Sequence, residues 1–155
     1  MSIERVKAYF REFGMEEKIM EFETSSATVE LAAQALGCEP CLIAKTMSFL
    51  VDGHVALVVL AGDARIDNAK FKAEFHQKAR MISHEQVSER TGFPVGGVCP
   101  FLAPEGTKVY LDESLKRFEI VYPAAGSPSS AVRVTPEELE RASKAEKWIA
   151  VSKLG

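Results

Sequence analysis

At 155 residues, with 46% hydrophobic and 26% charged side chains, the chain has ordinary globular composition, which excludes a disordered or fibrous protein. Its formal net charge of −3 excludes the broad basic field of a duplex-binding protein, and its longest apolar run, residues 55–61, is too short to span a bilayer. Three cysteines, an odd number, and a first segment Met1-Ser2-Ile3-Glu4-Arg5-Val6 without an apolar signal core lead to the expectation of a reducing, cytoplasmic compartment.

In chain order, Ile3, Val6, Phe10 and Phe13 recur at helical spacing and Gly14 follows as a stop. Residues 18–23 read as a short strand. Thr28 is placed to cap a helix with Val29, Ala32, Ala33 and Leu36 on one face, ended by Gly37. The clearest hairpin follows: a strand over 45–51, the turn Asp52-Gly53, and a return over 54–61 whose continuous apolar run predicts burial on both faces. Asp67 or Asn68 caps a helix through Phe75, and residues 79–82 read as a short strand. Ser83-His84-Glu85-Gln86 has capping-box spacing, opening a helix that Gly92 closes. Strands are expected over 108–111, 118–122 and 131–134, and Thr135-Pro136-Glu137-Glu138 opens a last helix with proline in its first turn. Hairpin-paired strands with helices inserted between them predict an α+β domain with a mixed sheet, without repeat or linker.

Known catalytic signatures are missing: there is no G-x-S-x-G elbow, no Walker-type phosphate loop and no H-E-x-x-H. His54, His76 and His84 fall at a turn, a helix end and a helix first turn, which argues for surface roles. Cys38-Glu39-Pro40-Cys41 is a C-x-x-C, but it follows a helix end instead of opening a helix after a strand. A zinc site would need Cys99 and a histidine to complete four ligands, so a connection containing two small residues is the better reading. Between Arg65 and Arg80, five basic residues (Arg65, Lys70, Lys72, Lys78, Arg80) face two acidic ones (Asp67, Glu74), a local excess that reads as a solvated helix face or as a contact to a few phosphates.

One combination stands apart. In a strand over 45–51, Lys45 shares its face with Met47, Phe49 and Val51, so a cation ends a face that otherwise reads as core. It either snorkels to water or serves a site. About fifty residues later comes Thr91-Gly92-Phe93-Pro94-Val95-Gly96-Gly97-Val98-Cys99-Pro100-Phe101, whose adjacent glycines let backbone approach a ligand closely. Together they point to a pocket for an oxygen-rich, phosphate-bearing substrate.

The whole pattern resembles the YbaK/EbsC family, whose domains are also inserted in bacterial prolyl-tRNA synthetases. The resemblance is carried by Phe22-Glu23-Thr24-Ser25-Ser26-Ala27-Thr28, by Ile43-Ala44-Lys45-Thr46 and by Leu60-Ala61-Gly62-Asp63-Ala64-Arg65-Ile66-Asp67. It continues in the glycine segment from Thr91 to Phe101 and in Ala124-Ala125-Gly126. It implies a single editing domain over residues 1–155, with a mixed, mostly antiparallel, barrel-like sheet surrounded by helices. It also implies deacylation of mischarged tRNA without metal or organic cofactor. The family's essential lysine falls on Lys45 and its glycine loop on Gly96 and Gly97, the catalytic candidates. Thr46, Phe49, Cys99, Phe101, Ala125 and Gly126 are the substrate-binding candidates. Cysteine, alanine and other small residues on proline tRNA are the implied substrates, and the tRNA acceptor end and prolyl-tRNA synthetase the implied partners. Two departures bear on specificity: Ala131 stands where some members have aspartate, and Cys99 where many have serine. The rival reading is a module that binds a nucleotide or aminoacyl group without hydrolysis.

Overall fold

The computed structural model describes residues 2–94 and 97–154. At its centre the Asp52-Gly53 turn joins β2 (Ile43–Val51) to β3 (His54–Ala61) in one antiparallel ladder, from Ala44 opposite Ala61 to Val51 opposite His54. Both turn residues have positive φ, 49° and 80°, as a tight two-residue hairpin requires. β3 is buried along all but its first residue because it is paired on both edges. On one side, β5 (Lys108–Asp112) joins β3 in parallel and β8 (Lys147–Ile149) joins β5 in parallel. On the other, β6 (Tyr122–Pro123) pairs in parallel with the first residues of β2, giving the order β6-β2-β3-β5-β8.

Two short antiparallel ladders curl this sheet into a half-barrel: β1 (Ile19–Glu21) with β7 (Ser130–Val132), and β4 (Ala64–Ile66) with β9 (Ser152–Leu154). The sheet is therefore mixed, as expected. The longest ladder is antiparallel, and the parallel ones join segments far apart in sequence, which local hairpin signals do not reveal.

Among the described residues there are five α-helices. α1 (Ser2–Glu12) buries Val6 and Phe10, and the Phe10 ring meets Phe101 edge-on at 4.7 Å. α2 (Val29–Leu36) has its first turn satisfied by the Thr28 hydroxyl, which accepts from Leu31 N, and ends at Gly37 in the left-handed region. α3 (Asn68–Phe75), capped by Asp67, lays Phe71 on Phe49 with ring centroids 4.9 Å apart. α4 (Val87–Thr91) is closed by Gly92, and α5 (Pro136–Ser143) carries the complete Thr135–Glu138 capping box.

Several boundaries differ from the sequence reading. Residues 79–82 make one bridge, Met81 opposite Phe49, and no strand, while Ser83 makes no capping bond and is followed by a 3-10 turn over His84–Gln86. The strand expected over 118–122 begins only at Tyr122, because Asp112 caps a 3-10 helix over Glu113–Arg117. The one expected over 131–134 runs Ser130–Val132, with Val134 bridged to Val121. The strands β8 and β9 carry no local signal strong enough to predict them. Among the described residues no helix is long and apolar enough to cross a membrane.

Candidate functional site

A cavity of about 350 Å³ opens where the start of β2, the N-terminus of α2 and the segment following β6 meet. Its polar wall holds Lys45 and Thr46 from β2, Ser26 and Thr28 from the approach to α2, and Ser130 from β7; Val29, Ala32, Ile43, Val98 and Tyr122 form its apolar side. The segment before α2 is stapled to the far wall: Ser26 N donates to the Pro128 carbonyl at 2.7 Å and Phe22 N to the Ser129 carbonyl at 2.8 Å. Ser127 and Ser130 close the same loop, with Ser127 Oγ and Ser130 Oγ 2.9 Å apart. The walls are thus held by backbone bonds and short side chains, which leaves the cavity preformed.

Lys45 is half-buried, and its ammonium donates to the Gly62 carbonyl at a long 3.5 Å. Among the described residues no carboxylate lies within ion-pair distance of it. Burial lowers its pKa from the ordinary lysine value, while the Asp63 and Glu30 carboxylates pull the other way. Beside it, the Thr46 hydroxyl is buried with no hydrogen-bond partner among the described residues. That hydroxyl is an unused donor and acceptor beneath the cavity lining. The positive end of α2 opens on the same space, so three features of the wall favour an oxygen-rich or anionic ligand.

The structure brings Lys45 and Thr46 together in this cavity, with Val98 and Ala124 from the two family segments. It places other candidates elsewhere. Phe49 shares a strand face with Lys45, but α3 covers that end of the strand and the ring is buried against Phe71. Phe101 is buried against Phe10, and Ala125 is fully buried. Cys99 is also fully buried, its Sγ 3.8 Å from the Phe101 carbonyl oxygen, and burial pushes its thiol up to about 12, so it holds no thiolate at neutral pH. Gly126, at φ 98°, lines a shallow groove with Ile3, Pro94 and Pro128 instead.

Gly97 is buried and its N–H donates to the Pro94 carbonyl at 2.9 Å, so that donor is spent on the turn itself. A Cβ there would lie 2.8 Å from the Ser127 backbone carbonyl carbon. Close packing of the glycine turn on the 124–131 loop is what requires glycine at this position. Gly96 lies outside the described residues.

Sequence reasoning missed Ser26, Thr28, Val29, Ala32, Tyr122 and Ser130 as wall residues. Thr28 carried a signal, its capping position, because a helix N-terminus is itself an anion-friendly place. Neither Cys38 nor Cys41 lines the cavity. Cys38 packs on the Ala32, Ala33 and Ile43 cluster and burial pushes its thiol up, which fits a packing role. No group of three or more His, Cys, Asp or Glu among the described residues is arranged to hold a metal ion.

Comparison with known proteins identifies the family. Residues 23–142 match the family model of the aminoacyl-tRNA editing domain, and the chain belongs to that family. It is 49% identical to the uncharacterized protein YwhH of Bacillus subtilis (strain 168), over 99% of this chain and 98% of that one. It is 36% identical to the proline–tRNA ligase of Maridesulfovibrio salexigens over 83 residues, which is 53% of this chain but only 14% of the ligase. Among solved structures, a candidate trans-editing enzyme for prolyl tRNA synthetase superposes with a TM-score of 0.86 at 33% identity, covering 99% of this chain and 98% of that one. A role in tRNA editing follows from the family.

Proposed function

We propose that this protein is an aminoacyl-tRNA deacylase that hydrolyses mischarged tRNA in trans, holding the aminoacylated acceptor end in the cavity at Lys45. The observation that carries the reading is a half-buried lysine ammonium without a carboxylate counter-ion in a preformed cavity, with an unpartnered hydroxyl beneath the adjoining wall. Burying such a cation without a counter-ion costs free energy, and a substrate phosphate or ribose oxygen offsets that cost. The cavity's volume suits an aminoacyl group and its ribose, with the apolar surface of Val29, Ala32 and Ile43 left for the amino-acid side chain. That surface favours small side chains, in keeping with cysteine or alanine carried by proline tRNA, and with prolyl-tRNA synthetase in the cytoplasm as the source of the error.

An aminoacyl ester is already activated, so positioning and electrostatic stabilisation can supply much of the acceleration. Among the described residues no histidine lines the cavity and Cys99 is buried as a neutral thiol, which favours water as the nucleophile, with the substrate's vicinal ribose hydroxyl assisting its attack. Attack on the ester carbonyl breaks the acyl–oxygen bond; with water, the products are the free amino acid and the tRNA with its terminal hydroxyl restored. Lys45 stabilises the charge that develops on the substrate oxygens, and Thr46 orients them.

The test is hydrolysis of a panel of mischarged tRNAs, with alanyl- and cysteinyl-tRNA(Pro) among them, at protein concentrations far below substrate. Multiple turnovers on at least one member are expected. Release that never exceeds one equivalent, or an ester whose spontaneous hydrolysis slows in proportion to added protein, would establish the binding module instead.

A further inference from the structure

Next to the cavity lies an ion pair that the reaction as described does not use. Asp63 follows Gly62, the residue whose carbonyl meets Lys45. Its carboxylate is gripped by Arg117 through two parallel bonds, Nη2 to Oδ1 at 2.6 Å and Nη1 to Oδ2 at 3.1 Å. Arg117 is itself held: its Nε donates to the Ser114 carbonyl at 2.8 Å and its guanidinium lies 4.6 Å from the centre of the Phe118 ring. The 3-10 helix carrying Arg117 is anchored in turn. Ser114 Oγ accepts from Ala61 N at 3.0 Å, and the fully buried Asp112 accepts from Ser114 N, Val151 N and the Ser152 hydroxyl. Arg117 therefore has a fixed place relative to the β3 end and to the Gly62-Asp63 turn.

The pair is about one-third exposed on each side, so it contributes little to stability. Its consequence is where the charge sits. Asp63 is near enough to act electrostatically on Lys45, and a free carboxylate one residue from the lysine's carbonyl partner would be the natural counter-ion for that ammonium. The guanidinium fork matches a carboxylate in two bonds, which a lysine ammonium cannot do, so Arg117 wins the competition.

We propose that Arg117 is a positioning residue: by holding the Asp63 carboxylate in a bidentate pair it keeps Lys45 unpaired and available to an oxygen-rich substrate group in the cavity. Removing Arg117 releases Asp63 to neutralise the lysine. Removing both frees the lysine again. This assignment rests on Lys45 meeting the substrate, and its test separates the two claims.

The experiment is a charge cycle with Arg117→Met, which keeps an apolar stem on Phe118, Asp63→Asn, and the double variant. Two quantities are read on the full chain: KM and kcat for an aminoacyl-tRNA that the native protein hydrolyses, and the rate of acetylation of Lys45 by acetic anhydride between pH 8 and 10, followed by peptide mass spectrometry. In Arg117→Met, Lys45 acetylation is expected to slow about threefold or more, since a carboxylate partner holds the amine protonated, and KM to rise about tenfold. The double variant should return both to within about threefold of native. Arg117→Lys, retaining charge but not the fork, should fall between and serves where Arg117→Met does not fold. Unchanged Lys45 acetylation in a folded Arg117 variant, or a double variant that fails to recover it, overturns the assignment whatever happens to turnover. Slowed and recovered acetylation with unchanged KM and kcat upholds the Asp63 competition and overturns the role given to Lys45 in the reaction.

Discussion

Lys45 carries opposing demands: burial disfavours its charge, and the substrate needs that charge. Lys45→Met removes an unpaired, half-buried cation while keeping its stem, so the melting temperature should stay level or rise, whereas deacylation should fall on the order of a hundredfold or more. A folded Lys45→Met protein with native turnover would make the lysine a snorkelling residue. The pH dependence has a definite sign. Because the folded pKa lies below the unfolded one, the unfolded chain binds more protons in that interval, so this group's contribution to stability grows as pH rises through the folded value. Activity should move oppositely, declining with rising pH through the same titration as the ammonium is lost. A kcat/KM profile read beside thermal melts on one sample compares the two trends. At Gly97 the structure favours a structural loss: Gly97→Ala drives a Cβ into the Ser127 backbone and displaces the cavity wall, so stability should drop by about 1–3 kcal/mol together with activity. Rapid native turnover in a Gly97→Ala protein of unchanged stability would contradict that packing.

Two glycines at the ends of β3 separate conformational from positional demands. Gly53 closes the hairpin at φ 80° with open space around a would-be Cβ, so Gly53→Ala should cost only the left-handed strain, about 1 kcal/mol, and leave activity per folded molecule unchanged. Gly62 has no positive φ to explain it. Its Cβ would overlap the Pro40 carbonyl oxygen and lie 2.9 Å from Val29 Cγ1, so β3 can end here only with the α2–β2 connection pressed against it. Gly62→Ala should therefore destabilise by at least as much as Gly97→Ala and, by moving the carbonyl that meets Lys45, depress turnover per folded molecule. Chemical denaturation with single-turnover hydrolysis on both variants checks the contrast; equal activity losses at Gly53 and Gly62 would contradict it.

For the molecule as a whole, Asp112 is the junction. Fully buried, it ends β5, caps the Glu113–Arg117 turn and accepts two groups from the segment leading into β9, so one carboxylate ties the sheet's far edge to the helix that holds Arg117. Asp112→Ala strands two buried backbone donors and a partly buried hydroxyl and should cost on the order of 3 kcal/mol, measured by urea denaturation. A loss below about 1 kcal/mol would show that water or neighbours replace the carboxylate readily.

The hairpin, the Thr28, Asp67 and Thr135 caps, and the stops at Gly37 and Gly92 were legible from residue order alone, because each depends on neighbours within a few positions. The same locality made Lys45 conspicuous as a cation ending an apolar strand face. The parallel pairings of β5, β6 and β8 were not legible, since they join segments tens of residues apart and depend on which edges remain free after the hairpin forms. Nor was the division of one strand face into cavity at Lys45 and core at Phe49, which the placement of α3 decides. The sequence by itself determined the central hairpin, the helix caps and stops, the family, and the place of Lys45 at the end of an apolar strand face. The tertiary structure alone decided that Gly97 packs on Ser127 with its N–H spent on Pro94, that Cys99 is sealed away, and that Asp63 is claimed by Arg117, because each outcome is a competition among groups brought together only when distant segments meet.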